Sequence, residues 1–128
     1  MRILLDTHVL LWSTAQSDRL PDAARELLED TGNALYCSVA SLWEIAIKNA
    51  LGRPDFQVDL RKLRQALSRM GIVELPVEGT HTETLMQLPP IHKDPFDRML
   101  VAQSMAEPLV LLTNDAILAK YWDGVKLV

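Results

Sequence analysis

Short apolar runs alternate with longer amphipathic stretches along the chain, and that alternation sets the expected fold. "RILLD" at 2–6 and "LVLLT" at 109–113 are nearly continuous in branched apolar residues, as strands buried on both faces are. "ALYCS" at 34–38 and "IVELPV" at 72–77 read the same way, and "KLV" at 126–128 reads as a short last strand. Helical spacing fills the intervals. "LPDAARELLED" places Pro21 in a first turn with Ala24, Leu27 and Leu28 on one face. "SVASLWEIAIKNALG" groups Val39, Leu42, Trp43, Ala46, Ile47 and Ala50, and Gly52 stops it. "DLRKLRQALSRMG" turns Leu60, Leu63, Leu67 and Met70 inward and closes at Gly71. "DPFDRMLVAQSMA" and "DAILAKYW" complete the helices, and "GRPDFQV" at 52–58 is a connecting loop.

Strands separated by helices imply right-handed crossovers and a mainly parallel sheet covered on both sides. The expectation is one α/β domain over residues 1–128, a three-layer α/β/α sandwich without internal repeats. In such sheets functional groups gather beyond the carboxyl ends of the strands, where the strand order reverses.

Acidic residues fall at that edge. Asp6 ends the first strand and Asp115 follows "LVLLT", each a residue that also serves as a turn former or helix cap. Glu44 sits between Trp43 and Ile45 in a strongly apolar helix. It reads either as an exposed partner of Lys48 four residues on, or as a buried carboxylate in need of a cation. "DPFD" matches a helix start, with Asp94 as N-cap, Pro95 at the first position and Asp97 at the third. Capping accounts fully for Asp94 and only in part for Asp97, because the reciprocal partner at that place is usually the longer Glu or Gln. Convergence of Asp6, Glu44, Asp97 and Asp115 would make a hard oxygen site suited to Mg²⁺ or Mn²⁺. Without cations the four would raise one another's pKa values. Metal-assisted hydrolysis of a phosphodiester is the chemistry such a cluster suggests.

Composition adjusts this picture at three points. No apolar run approaches the ~20 residues that span a bilayer, and "MRILLDTHVLLW" is broken too early by Asp6 and His8 to read as a signal peptide. Cys37 is the only cysteine, so a cytoplasmic protein is the default expectation. The formal net charge of −4 argues against a nucleic-acid partner, unless bound cations neutralise the acids.

Other residues add less. His8, His81 and His92 lack zinc-site spacing, and His8 reads as a polar residue at a helix start. Trp12, Trp43 and Trp122 read as core or interface residues. Arg61, Lys62, Arg64 and Arg69 read as a solvated helix face. A receiver-like or haloacid-dehalogenase-like phosphotransfer domain is the rival class. The first wants paired acids after its first strand, where only Asp6 stands; the second wants an aspartate where His8 stands.

In order and spacing, "LLDTHVLLW", "SVASLWEIAIK", "HKDPFDRMLVAQS" and "LLTNDAIL" resemble the PIN-domain family, and within it the VapC-type toxins of type II toxin–antitoxin systems. The resemblance covers nearly the whole chain. It implies an α/β/α endoribonuclease in which a water activated by Mg²⁺ or Mn²⁺ attacks the RNA phosphorus, restrained by a cognate antitoxin and commonly homodimeric. Asp6, Glu44, Asp97 and Asp115 match the family's four acids in turn. Thr7, Thr113 and Asn114 fall beside them as polar supports, and Asp94 is open to a supporting place at the rim. Lys48, Arg53, Lys93 and Arg98 are the candidate RNA contacts, while Leu10, Leu11, Trp12 and Trp43 are candidate contacts for a partner subunit or antitoxin. One departure is that Arg98 follows the third acid, where many members have a small residue. An inactive PIN-type module that only binds RNA or protein is the remaining alternative.

Overall fold

Strand β1 (Arg2–Leu5) divides its side chains between two cores, Ile3 and Leu5 joining one apolar cluster and Leu4 the other. The period of two in an extended chain requires this split, which is why "RILL" is apolar at every position after Arg2. In the computed structural model, which describes all 128 residues, β1 is the central strand. It pairs with β2 (Ala34–Ser38) and β4 (Val110–Thr113), while β3 (Ile72–Leu75) and β5 (Val125–Leu127) form the edges. The order is β3-β2-β1-β4-β5 and every pairing is parallel. Leu5 lies opposite Cys37 on one side and Leu112 on the other, so the carboxyl ends of β1, β2 and β4 finish level.

Six helices cover the sheet. Helices α1 (Thr7–Ala15), α2 (Asp22–Glu29), α3 (Val39–Ala50) and α4 (Leu60–Arg69) pack on one face. They meet the sheet there through Val9, Leu10, Ala24, Ile45, Leu63 and Leu67. Helices α5 (Gly79–Met86) and α6 (Pro95–Ala106) close the other face, with Leu100, Val101 and Ala102 packed beside Leu4 and Leu111. Gly52 and Gly71 follow the ends of α3 and α4 with φ of 69° and 74°, the left-handed conformation that lets the chain leave a helix. The α/β/α sandwich is as expected, and its sheet is wholly parallel. No helix is long and apolar enough to cross a membrane.

Several local expectations need correction. The inward face of α3 is Ala40, Ser41, Leu42, Glu44 and Ile45, whereas Val39, Trp43, Ala46, Ile47 and Ala50 lie outward. Met70 is exposed rather than turned inward, because α4 ends at Arg69. Pro21 caps α2 from outside its first turn. "DAILAKYW" forms only a single 3₁₀ turn at Leu118–Lys120, since the chain must turn at once into β5. Helix α5 was not legible in its polar sequence. It is held by His81, fully buried, whose Nδ1 accepts the Glu78 N–H at 2.9 Å and whose Nε2 meets Glu107 Oε2 at 2.6 Å.

Leu111 is fully enclosed between β4 and α6, so Leu111→Ala should leave a cavity and lower stability by about 2–5 kcal/mol. Met86→Ala, at an 87% exposed residue, should stay within about 0.5 kcal/mol. Urea unfolding of the two variants measures the contrast.

Candidate metal centre

The chain runs outward from β1 to β2 and β3, then returns to the opposite side of β1 as β4, so the strand order reverses between β1 and β4. Asp6 stands at that reversal. Its backbone N–H donates to Leu112 O at 3.0 Å, its Oδ1 caps α1 by accepting the Val9 N–H at 2.9 Å, and its Oδ2 accepts the Thr113 hydroxyl. Thr113, the last residue of β4, in turn accepts the Asp115 N–H at 3.0 Å. One threonine therefore couples the acids that leave two neighbouring strands.

Glu44 is delivered by α3, which starts directly after β2 with Ser38 as its N-cap. Only 6% of Glu44 is exposed. The Thr7 hydroxyl lies 2.8 Å from Glu44 Oε1 and 2.9 Å from Ser41 Oγ. A carboxylate can only accept, so Thr7 spends its proton on Glu44 and takes the proton of Ser41. Lys48 Nζ, one turn on, holds Glu44 Oε2 at 3.0 Å. Both sequence readings of Glu44 are thus combined in one residue, buried and paired with Lys48.

Asp97 comes from the first turn of α6. Asp94 caps that helix, its Oδ1 accepting the N–H groups of Phe96 at 2.8 Å and Asp97 at 3.1 Å. Between Asp97 and Asp115 stands His92, a residue that the sequence pattern did not single out. Its Nδ1 accepts the Asp94 N–H at 3.0 Å, which puts the ring proton on Nε2. That atom lies 3.1 Å from Asp115 Oδ2 and 3.4 Å from Asp97 Oδ2, as a donor facing both carboxylates. Ser41 is a second residue the pattern missed, a buried helix serine whose role is visible only through Thr7.

The remaining candidates make other contacts or face solvent. Arg98 Nη1 donates to Pro89 O at 3.0 Å and Tyr121 Oη at 3.2 Å. It fastens the loop before α6, whose His92 N–H also donates to Tyr121 Oη at 2.7 Å. Asn114 is exposed and reaches back to Val128 O at 3.4 Å. Lys93 and Arg53 are exposed on loops.

Mutual repulsion shapes the protonation of the site. Burial raises the Asp6 pKa against the opposing pull of Thr113, Val9 and His8, and the charge of Asp115 adds to the rise. Asp97 is pushed up to about 7, first by burial and then by the charges of Asp94 and Glu44; His92 lowers it and Asp6 raises it further. Lys48, paired with Glu44, is too little to balance four carboxylates. The donor set fits a hard divalent cation: it is oxygen-rich, partly desolvated and short of positive charge. Asp6, Glu44, Asp97 and Asp115 are the residues that could hold one; His92 Nε2 lies with the carboxylate oxygens of Asp97 and Asp115, all three within 4.8 Å of one another.

Comparisons with known proteins bear on the fold and the family. No curated protein compared with the chain matches it significantly. Among solved structures, VapBC2 from Rickettsia felis, bound to a DNA fragment from its promoter, superposes with a TM-score of 0.70 at 14% identity. That match covers 100% of this chain and 98% of the other. A toxin–antitoxin complex from Klebsiella pneumoniae superposes with a TM-score of 0.65 at 20% identity, over 97% and 95% of the two chains. At these identities the likeness is one of fold. The model of the PIN domain matches residues 3–122, a span that contains Asp6, Glu44, Asp97 and Asp115 and, but for Arg2, every strand except β5, and the chain belongs to the PIN domain family.

Proposed function

We propose that the chain is a divalent-metal-dependent endoribonuclease, the toxin of a toxin–antitoxin pair, acting in the cytoplasm. The observation that carries this reading is the crowding of acids at the reversal point of the sheet: Asp97 and Asp115 meet at His92, the charges of Glu44 and Asp6 bear on Asp97, and that of Asp115 bears on Asp6. The two toxin–antitoxin complexes of the same fold support the biological role and an antitoxin as partner. A homodimer is part of the same reading.

A bound Mg²⁺ or Mn²⁺ would supply a nucleophilic water at neutral pH and positive charge beside the phosphate oxygens. The protein's own part is to hold the oxygens that bind it. Thr113 and Val9 fix the two oxygens of Asp6, Thr7 and Lys48 fix those of Glu44, and His92 steadies Asp115. Such prepositioning leaves little reorganisation for the reaction step.

The direct test incubates the purified chain with labelled RNA and Mg²⁺ or Mn²⁺, with and without EDTA, beside Asp6→Asn. Cleavage should vanish with the chelator and with the variant. Persistence under both would rule the mechanism out, and growth arrest by the wild-type chain but not by Asp6→Asn would support the toxin role.

A further inference from the structure

A cleft of about 380 Å³, within the size range of small-ligand sites, opens beside the acids on the side of Thr7. Thr7 lines this cleft while its hydroxyl holds Glu44, and Lys48 lines it while its ammonium holds the other oxygen of Glu44. Cleft and acids therefore share a wall. Two further cations line it, Arg19 after α1 and Arg53 after α3, against one acid, Asp55. Arg53 reaches Asp55 only at 4.0 Å, with both side chains more than half exposed, so that pair does little to occupy the guanidinium.

The cleft also presents flat apolar faces. His8 and Trp12, one turn apart on α1, stack with ring centroids 5.9 Å apart and planes 26° from parallel. Phe56 lies across the cleft with the Lys48 ammonium 5.9 Å from its ring centre. Cations that meet phosphates, combined with aromatic faces that take bases, are the elements of a single-strand binding groove.

We propose that this cleft seats one unpaired nucleoside of the RNA substrate next to the phosphate held at the acids. The base lies against the His8–Trp12 pair and the adjoining phosphate meets Arg19 and Arg53. This rests on the endoribonuclease reading and adds to it a place for the neighbouring nucleoside and a requirement that it be unpaired. A base within a duplex cannot leave its partner to stack on a side chain without first unpairing.

The test measures binding of a short single-stranded oligoribonucleotide to the full chain by fluorescence anisotropy, with Ca²⁺ replacing Mg²⁺. Trp12 also packs against the larger core, so the variants are Trp12→Leu, which keeps an apolar filler, and Trp12→Phe, which keeps a ring. Arg53→Glu, on the surface, tests the phosphate contact without touching the core. Trp12→Leu should weaken binding about tenfold and Trp12→Phe should restore it to within about twofold of wild type. Arg53→Glu should weaken binding and flatten its salt dependence. A nucleoside 5′-monophosphate should move the Trp12 indole N–H resonance, and inorganic phosphate alone should not.

Wild-type affinity in either Trp12→Leu or Arg53→Glu overturns the subsite, as does an indole resonance blind to nucleotides. If cleavage persists in that case, the nuclease reading stands without the subsite. Trp12-dependent RNA binding by a chain that cleaves nothing with any divalent metal would keep the subsite and overturn the nuclease reading.

Discussion

Asp97→Asn is expected to lower metal-dependent RNA cleavage by about a hundred- to a thousandfold or more, the scale on which losing one preorganised charge acts. The same change should stabilise the metal-free protein at pH 8. The folded carboxyl titrates near 7, above its ordinary 3.8, because burial and the charges of Asp94 and Glu44 oppose its ionisation. Below about pH 4 the group is protonated in both folded and unfolded chains and costs nothing. Between 4 and 7 the unfolded chain ionises more readily, so folding stability falls as pH rises, and the cost is complete above 7. An amide has no such charge, so Asp97→Asn should exceed wild type by about 1–3 kcal/mol at pH 8 and lose that advantage at pH 4. Urea unfolding at the two pH values and a cleavage assay on the same samples read both effects. Asp94→Asn is the contrast. Asn is still a competent N-cap for Phe96 and Asp97, so its cleavage loss should be small. Equal loss in both variants would mean that Asp94 belongs with the acids that hold the cation.

The capping role of Asp94 was legible because helix-start chemistry is local, with cap, proline and third residue all within four positions. The strands were legible for a similar reason: each is short, apolar on both faces and bounded by a polar residue. Helix α3 shows where periodicity runs out. It is apolar on two sides, so hydrophobic spacing alone does not say which side meets the sheet. The side that does carries Ser41 and Glu44 inward and leaves Trp43 63% exposed. Local pattern and actual burial part company where a site demands polar groups inside. His92 had no sequence signal, because its role depends on a backbone N–H two residues on and a carboxylate twenty-three residues on. Helix α1 was legible only at its start, where His8 stands. Its apolar run from Val9 to Trp12 has no polar break to reveal a period.

Mg²⁺ or Mn²⁺ added to the metal-free protein at pH 7 should raise its thermal midpoint and release protons, and EDTA should reverse both. An ion held by Asp6, Glu44, Asp97 and Asp115 binds only when the ends of β1 and β4, helix α3 and the start of α6 are assembled, so its binding energy adds to folding. At a hundredfold excess over Kd that contribution is about 2.7 kcal/mol, which for a chain of 128 residues corresponds to about 10 °C. The proton count follows from Asp97. With a pKa of about 7 it is half protonated at neutral pH, and it must ionise to serve as a ligand. The share of that release due to Asp97 should therefore approach one proton at pH 6, fall to about half at pH 7 and vanish at pH 9, and Asp6, whose carboxyl burial also raises, adds a share of its own. Calorimetric titrations in buffers of different ionisation enthalpy count those protons. Asp97→Asn should remove that share of the release along with most of the thermal shift. A midpoint that ignores both metals would remove the cation from the site. A shift without pH-dependent release would leave a cation there but take Asp97 out of its ligand set.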